Sequence, residues 1–261
     1  MGKCIYGAGF IGKQITRTLT RNQKHNFHSY DQLKESTPHG ALLSPVSVDV
    51  RDTLVVSLVG IMHGSPKDFE DIQWKGASNI AKAAQSVGAN LVHFSSIGAG
   101  PSSSIPYTRT KGLGEISVLE HCPSATIIRP SLVFGPEDDF FNIFPFLPVF
   151  GGGASKFQPV YVEDLMRAVE IIAIADAKVR KEVSGKIMET GSPDVSLSFF
   201  VGQMQGFFLE KPHINMFTVT RAHIKQLEFD NVVQNVPEGS SNFVSFERLV
   251  TAQYEPLRSI I

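Results

Sequence analysis

A short apolar run that breaks directly into Gly7-Ala8-Gly9-Phe10-Ile11-Gly12 constrains this chain more than any other stretch. Residues 4–6 read as a buried strand, and the Gly-x-Gly-x-x-Gly turn follows without a linker. A helix is predicted over residues 14–19, with Ile11, Ile15 and Leu19 four apart on one face. Each glycine then has a physical task. Gly7 permits the tight turn, Gly9 lets the backbone approach a pyrophosphate, and Gly12 lets the helix pack on the strand. The helix N-terminus offers free N–H groups and a positive dipole end to the phosphates. A second strand is expected over residues 26–30, and Asp31 follows it, 19 residues past Gly12. An acid at that distance bonds the adenosine ribose hydroxyls, which favours NAD over NADP because it repels the extra phosphate. The plainer reading of Asp31 is a solvated turn acid. A glycine turn alone is a weak signal, since such turns are common.

The rest of the chain alternates between strand and helix patterns. Strands are expected at residues 46–50, 54–59, 91–94, 125–128, 160–162 and 186–189. Helices are expected at residues 71–87, 108–119 and 164–174. Trp74, Ala77, Ile80, Ala81, Ala84 and Val87 form the inward face of the first, which Gly88 stops. Ser196 is expected to cap a further helix carrying Leu197, Phe200, Val201 and Met204, and Thr220 a last one around Ile224 and Leu227. This pattern predicts an α/β fold, a Rossmann-type doubly wound parallel sheet with a small C-terminal lid or substrate region. Residues 1–150 would be the dinucleotide-binding core. Residues 151–261 would complete the sheet and form the lid, in one continuous unit, with Gly151-Gly152-Gly153 as a hinge. One connection breaks the pattern. Parallel neighbours need a crossover of about a dozen residues, and only residues 51–53 separate the third and fourth strands. Either a helix is missing and the local topology has changed, or the sequence stems from an imperfect gene prediction.

Charge and composition narrow the function. The net charge of −1 gives no field that draws in nucleic acid or anionic lipid. Cys4 and Cys122 point to a reducing compartment or simple burial, not to a disulfide framework. No run is apolar enough for a membrane span, and no signal peptide or presequence is visible. The histidines, His63, His93 and His121 among them, lack metal-ligand spacing, so no metal is expected and each reads as surface or satisfied core. Glu137-Asp138-Asp139 reads as a solvated acidic turn. The phenylalanines clustered at residues 140–150 and 199–208 are either core or a sticky surface for a partner or lipid.

Three polar residues could do chemistry: Ser96, Tyr107 and Lys111. Tyr107-Thr108-Arg109-Thr110-Lys111 spaces its ends by four, so both side chains share a helix face. A lysine cation beside a tyrosine lowers the phenol pKa from about 10. The phenolate could then take a hydroxyl proton while a hydride leaves for the nicotinamide. Ser96, at a strand end, could orient the substrate oxygen. The bland reading of Tyr107 and Lys111 is a surface helix pair.

With these motifs in this order the chain resembles the extended and atypical short-chain dehydrogenase/reductase superfamily. The resemblance rests on residues 7–12, Asp49-Val50-Arg51-Asp52, Phe94-Ser95-Ser96, Tyr107 to Lys111, and residues 129–136. Residues 57–60, 158–164 and 226–233 make it most similar to one branch, the nucleotide-binding accessory subunit of respiratory complex I. A fungal accessory protein of ubiquinone biosynthesis belongs to the same branch. The resemblance implies that Gly7, Gly9 and Gly12, with Phe10 and Ile11 between them, hold the pyrophosphate of NAD or NADP. It implies ribose binding by Asp31, Asp49 and Val50 beside the adenine, Gly60 by the cofactor, Lys111 on the nicotinamide ribose and Pro130 bordering the nicotinamide. It further implies a mitochondrial address, with the cytoplasm as the alternative. The implied partners are complex I or the quinone-synthesis enzymes, with peripheral inner-membrane contact and no nucleic acid.

Departures from the family pattern keep three functions open. Tyr6 stands where extended members carry one more glycine, and the 11-residue step from Ser96 to Tyr107 leaves little wall for a sugar nucleotide. The first reading is a nucleotide-binding accessory protein. The second is an active oxidoreductase or epimerase with Ser96, Tyr107 and Lys111 as its catalytic trio. The third is a scaffold that has lost nucleotide binding.

Overall fold

The structure, a computed structural model, describes residues 2–6, 9–21, 26–29, 54–136, 138, 156–191, 195–196, 230–233, 246 and 249. Alternation in the strands is what builds its two cores. Leu54 and Val56 face one side of the strand Leu54–Ser57 (β3), and Val55 faces the other. Six parallel strands make the sheet. They are β1 (Gly2–Tyr6), β2 (Asn26–Ser29), β3, β4 (Asn90–Phe94), β5 (Thr126–Pro130) and, after three short strands off the sheet, β9 (Ile187–Thr190). Their order is β2-β1-β3-β4-β5-β9. The chain leaves β1 for β2 on one side and then returns to β3 on the other, so the order reverses between β1 and β3. That crevice, at the strands' carboxyl ends, is where doubly wound sheets take ligands. The α/β doubly wound architecture expected above is the one found.

Helices cover both faces. On one, α1 (Phe10–Arg21) packs with α4 (Val162–Ile174) over Leu54, Val56, Val92, Ile128 and Met188. Val56 and Leu165 are fully buried there, each stabilising the fold by about 1.5–3 kcal/mol. On the other, Ala77, Ala81, Ala84, Val118 and Cys122 close over Val55 and Leu91. The alanines come from the helix α2 (Pro66–Ser86), and Val118 and the C-capping Cys122 from α3 (Pro106–His121). Helix α2 has three parts: an α-turn Pro66–Phe69, a π-helical stretch Glu70–Gly76, and an α-helix Ala77–Ser86. It starts five residues before the periodicity predicts. Ser65 and Asp68 form a reciprocal capping box, with Pro66 at the first helical position. At the other end Val87 is 40% exposed and does not join the inward face. Gly88, at φ +65°, makes the left-handed stop.

Shorter elements complete the rim. Strands β6 (Val133–Phe134) and β8 (Val160–Tyr161) pair in parallel. Strands β7 (Lys156–Phe157) and β10 (Val195–Ser196) pair antiparallel, so Ser196 lies in a strand. Helix α5 (Ala177–Val183), capped by Asp176, has no counterpart in the sequence reading. Asn231 bridges to Phe157 and accepts from the Ser131 hydroxyl at 2.6 Å, which straps residues 230–233 across the ends of β5 and β7. Asp138 is buried, which corrects its reading as a solvated acid. No described helix is long and apolar enough to cross a membrane, and no metal-binding cluster occurs among the described residues. The third strand at 46–50, the residues 51–53, the hinge at 151–153, the phenylalanine clusters and the helices after Ser196 and Thr220 lie outside the described residues.

Candidate functional site

Three loops meet at the carboxyl edge of the sheet: the turn after β1, the end of β3 and the end of β4. The first carries the N-terminus of α1. None of the described residues comes within 4 Å of where a Cβ on Gly9 would be, so among them this backbone position is open. The Gly9 carbonyl accepts from Lys13 N–H and thereby starts the helix. Phe10 and Ile11 are partly buried against the core, and their backbone N–H groups lie in the first turn of the helix. Gly12 is buried. Gln14 donates to the Pro136 carbonyl at 3.2 Å and ties α1 to the loop after β6. Gly7, Asp31, Asp49 and Val50 lie outside the described residues.

The second and third loops are joined by Lys111. Its ammonium, buried on α3, donates to the carbonyls of Val59 at 3.2 Å and Phe94 at 3.0 Å. Phe94 is the last residue of β4 and Val59 lies two residues past β3, so one cation clamps two adjacent strand ends. Two of its three N–H donors are engaged there. Burial depresses its pKa from 10.5 to about 8, with Glu115 one turn along α3 working in the opposite direction. Gly60 lies beside it, and a Cβ there would come to 3.0 Å from Lys111 Nζ. Pro130 is buried at the end of β5, and its carbonyl accepts from Ile97 N–H.

Tyr107 sits one turn before Lys111 and packs edge-on against Phe69, ring centroids 6.4 Å apart. Its pKa is raised, because burial penalises the phenolate and the neighbouring Ser96 offsets this only partly. This corrects the sequence expectation of a lysine-stabilised phenolate. The i, i+4 spacing holds, but the ammonium is turned to the two carbonyls rather than to the phenol. Ser96 Oγ is buried next to the Tyr107 hydroxyl, without a hydrogen bond of full geometry, and its pull on the phenol works against that of burial. Serine and phenol therefore share one neighbourhood, one helical turn from the ammonium.

Sequence reasoning missed one residue here and left a second only as surface or satisfied core. One is Gln73, fully buried in the π-helical stretch, donating from Nε2 to Thr110 Oγ1 at 2.9 Å. A polar residue next to the apolar face gave no signal, because π-helical turns rotate the inward face off the 3.6-residue period. The other is His93, fully buried on β4 beside Ser57 Oγ at 3.1 Å, with Nε2 unpartnered. Burial first, and the Lys111 charge second, lower its pKa from 6.5 to about 3. The unfolded chain protonates this imidazole below pH 6.5 and the folded one only near 3, so stability is lost as pH falls through that window. Urea unfolding at pH 5 against pH 7 is expected to show about 2 kcal/mol of loss from this group. Substitution His93→Gln should remove that part of the pH dependence.

No protein-family model matches the chain. In sequence it is 31% identical over 219 residues to NADH dehydrogenase (ubiquinone) 1 alpha subcomplex subunit 9, mitochondrial, of Arabidopsis thaliana, covering 73% of this chain and 54% of that protein. It is 30% identical over 222 residues to the subunit of the same name from Rattus norvegicus, covering 75% and 58%. The chain thus spans little more than half the length of these relatives. In structure it is similar to UDP-glucuronic acid 4-epimerase from Bacillus cereus, solved in complex with NAD, at TM-score 0.62 and 17% identity, covering 87% of this chain and 99% of that one. The chain has the fold of the extended short-chain dehydrogenases/reductases and resembles in sequence the alpha subcomplex subunit 9 proteins of mitochondrial complex I.

Proposed function

We propose that this chain is an NAD(P)-binding accessory protein of mitochondrial quinone metabolism, working in or beside complex I or the ubiquinone-synthesis enzymes. The observation that carries the binding half is the open turn at Gly9, set at the start of α1 where the sheet order reverses. The residues fit the group. The backbone of Gly9, Phe10, Ile11 and Gly12 would hold the pyrophosphate on the positive end of α1. Gly60 leaves room beside Lys111, which would meet the second ribose with its remaining N–H. Gly7 would join them at the pyrophosphate, Asp31, Asp49 and Val50 would take the adenosine half, and the acid at position 31 favours NAD. Pro130 would border the nicotinamide. When bound, the cofactor supplies hydride chemistry; here its proposed part is structural. The mitochondrial address and the complex I partnership rest on the names of the relatives.

The accessory half rests on Tyr107. Burial raises the phenol's pKa, which works against the phenolate that base catalysis needs. Calorimetric titration should give saturable binding of NADH, tighter than NADPH. Tyr107→Phe is expected to leave NADH affinity within about twofold, with no Tyr107-dependent turnover in a substrate screen. If neither nucleotide gives heat, the scaffold reading replaces this one. One observation favours the oxidoreductase or epimerase reading: Ser96 Oγ is buried, unpartnered and next to the phenol, as a substrate-orienting hydroxyl would be. Turnover lost in Tyr107→Phe at unchanged affinity would decide for it. Comigration with complex I on native gels of mitochondrial membranes tests the address.

A further inference from the structure

A cavity of about 190 Å³ opens at the amino ends of β4 and β5, on the edge of the sheet opposite the Gly9 turn. Its floor is apolar. Val92, Ile172 and Val183, all buried core residues, reach it from β4, α4 and α5. Its rim is polar. Asn90 and Ser184 are half-buried there, and Ser124 and Lys181 are exposed. The space would hold about six waters. It is too small for a nucleotide and large enough for a short molecule with one polar end.

The sign of the charge on the walls selects that end. Arg180 and Lys181 line the cavity, and no carboxylate does. The carbonyls around it are already engaged. That of Val183 accepts from the Thr126 hydroxyl at 3.0 Å and from Lys186 N–H at 3.2 Å. That of Arg180 accepts from Ser184 N–H at 3.0 Å, and that of Ala175 from Arg180 Nε at 2.9 Å. The last bond also holds the guanidinium in place. Among the described residues Lys181 has no ion-pair partner. The rim therefore presents cations, two hydroxyls and an amide that can donate.

These walls stand ready before any ligand arrives. Gly185 N–H donates to the Ala125 carbonyl at 3.1 Å, and Ile127 N–H to the Lys186 carbonyl at 2.8 Å, so the end of α5 is stitched to the start of β5. Gly185 makes the necessary left-handed turn at φ +69°, where a Cβ would meet the Pro123 carbonyl oxygen at 2.8 Å. A ligand entering such a site loses little to ordering the protein.

We infer that this cavity binds a small amphipathic anion, with a carboxylate or phosphate head at Lys181 and Arg180 and a short apolar stem on Val92, Ile172 and Val183. Both heads suit an arginine fork and a lysine point charge. The site is separate from the nucleotide turn and is independent of it.

Backbone-amide NMR spectra of the full chain test this, with hexanoate and hexyl phosphate as probes and hexanol and hexylamine as controls. Both anions should give saturable shifts at residues 90–92, 124–126 and 180–184, with a dissociation constant of about a millimolar. Hexanol should bind more weakly by about fivefold or more, and added salt should weaken the anions alone. Lys181→Gln, at an exposed position, should weaken both anions about three- to tenfold. Ser124→Phe, which covers the mouth, should abolish the shifts; if it does not fold, Lys181→Gln decides alone. Hexanol binding as tightly as hexanoate overturns the inference, and so does an anion affinity unchanged in Lys181→Gln. No saturable shift with either anion means that the cavity holds only water. None of these results requires NADH to bind, so failure here and failure of the nucleotide reading are told apart.

Discussion

Substitution Arg129→Met is expected to cost about 3–5 kcal/mol of unfolding free energy. It is the largest single effect we foresee in the chain. The guanidinium makes a two-pronged bond with Glu115, Nε to Oε1 at 2.8 Å and Nη2 to Oε2 at 2.6 Å, and reaches Glu189 with Nη1 at 3.1 Å. The side chains of Glu115 and Glu189 are only 5% and 4% exposed. Their charges raise the arginine pKa against the opposing pull of burial. Without the cation, Glu115 and Glu189 stay buried beside one another and lose the positive charge they share. The loss would come from those orphaned charges, not from missing attraction, because desolvation offsets most of what a buried pair gains. A triple replacement, Arg129→Met with Glu115→Leu and Glu189→Leu, should therefore recover most of the deficit. Urea denaturation of the single and triple variants measures both. If the triple variant is as unstable as the single one, the group acts by shape rather than by charge.

Gly112→Ala is expected to destabilise by about 1–3 kcal/mol and to abolish measurable nucleotide binding. An added Cβ would fall 2.6–2.7 Å from three backbone atoms of Gly100, and backbone cannot swing aside as a long side chain can. Helix α3 would have to tilt off the loop that follows β4. Lys111 is the residue before Gly112, and its clamp on Val59 and Phe94 tolerates little movement at 3.2 and 3.0 Å. Stability from chemical denaturation and NADH affinity from calorimetry should therefore fall together. The single tryptophan, Trp74, donates to Ser117 at 2.9 Å across the α2–α3 contact, so its fluorescence reports the tilt directly. Unchanged emission with lost binding would place the effect in the loop instead.

The two expected effects mark what could and could not be read from residue order. The glycine turn, the alternation of Leu54, Val55 and Val56, the alanine face of α2 and the stop at Gly88 are local patterns. They need only a residue's immediate neighbours to acquire their meaning. The capping box at Ser65 and Asp68 is equally local, and was overlooked because the apolar period begins later than the cap. The triad of Arg129, Glu115 and Glu189 was not legible, since its members are 14 and 60 residues from the arginine and meet only when α3 lies across β5 and β9. The burial of Asp138, the strap through Asn231 and the buried amide of Gln73 are of the same kind.

By itself the sequence determined the class of fold and the face at which a ligand would be met. Hydrophobic period and glycine punctuation are set along the chain, and a parallel sheet with helices is the packing that satisfies them. Tertiary structure alone decided what the polar residues at that face are able to do. The direction of the Lys111 ammonium, and with it the protonation of Tyr107, depends on which carbonyls two strand ends bring within 3.2 Å and on how much water the packed helices exclude. Spacing along a helix establishes that two side chains share a side, whereas charge and solvent in the space between them are properties of the folded whole.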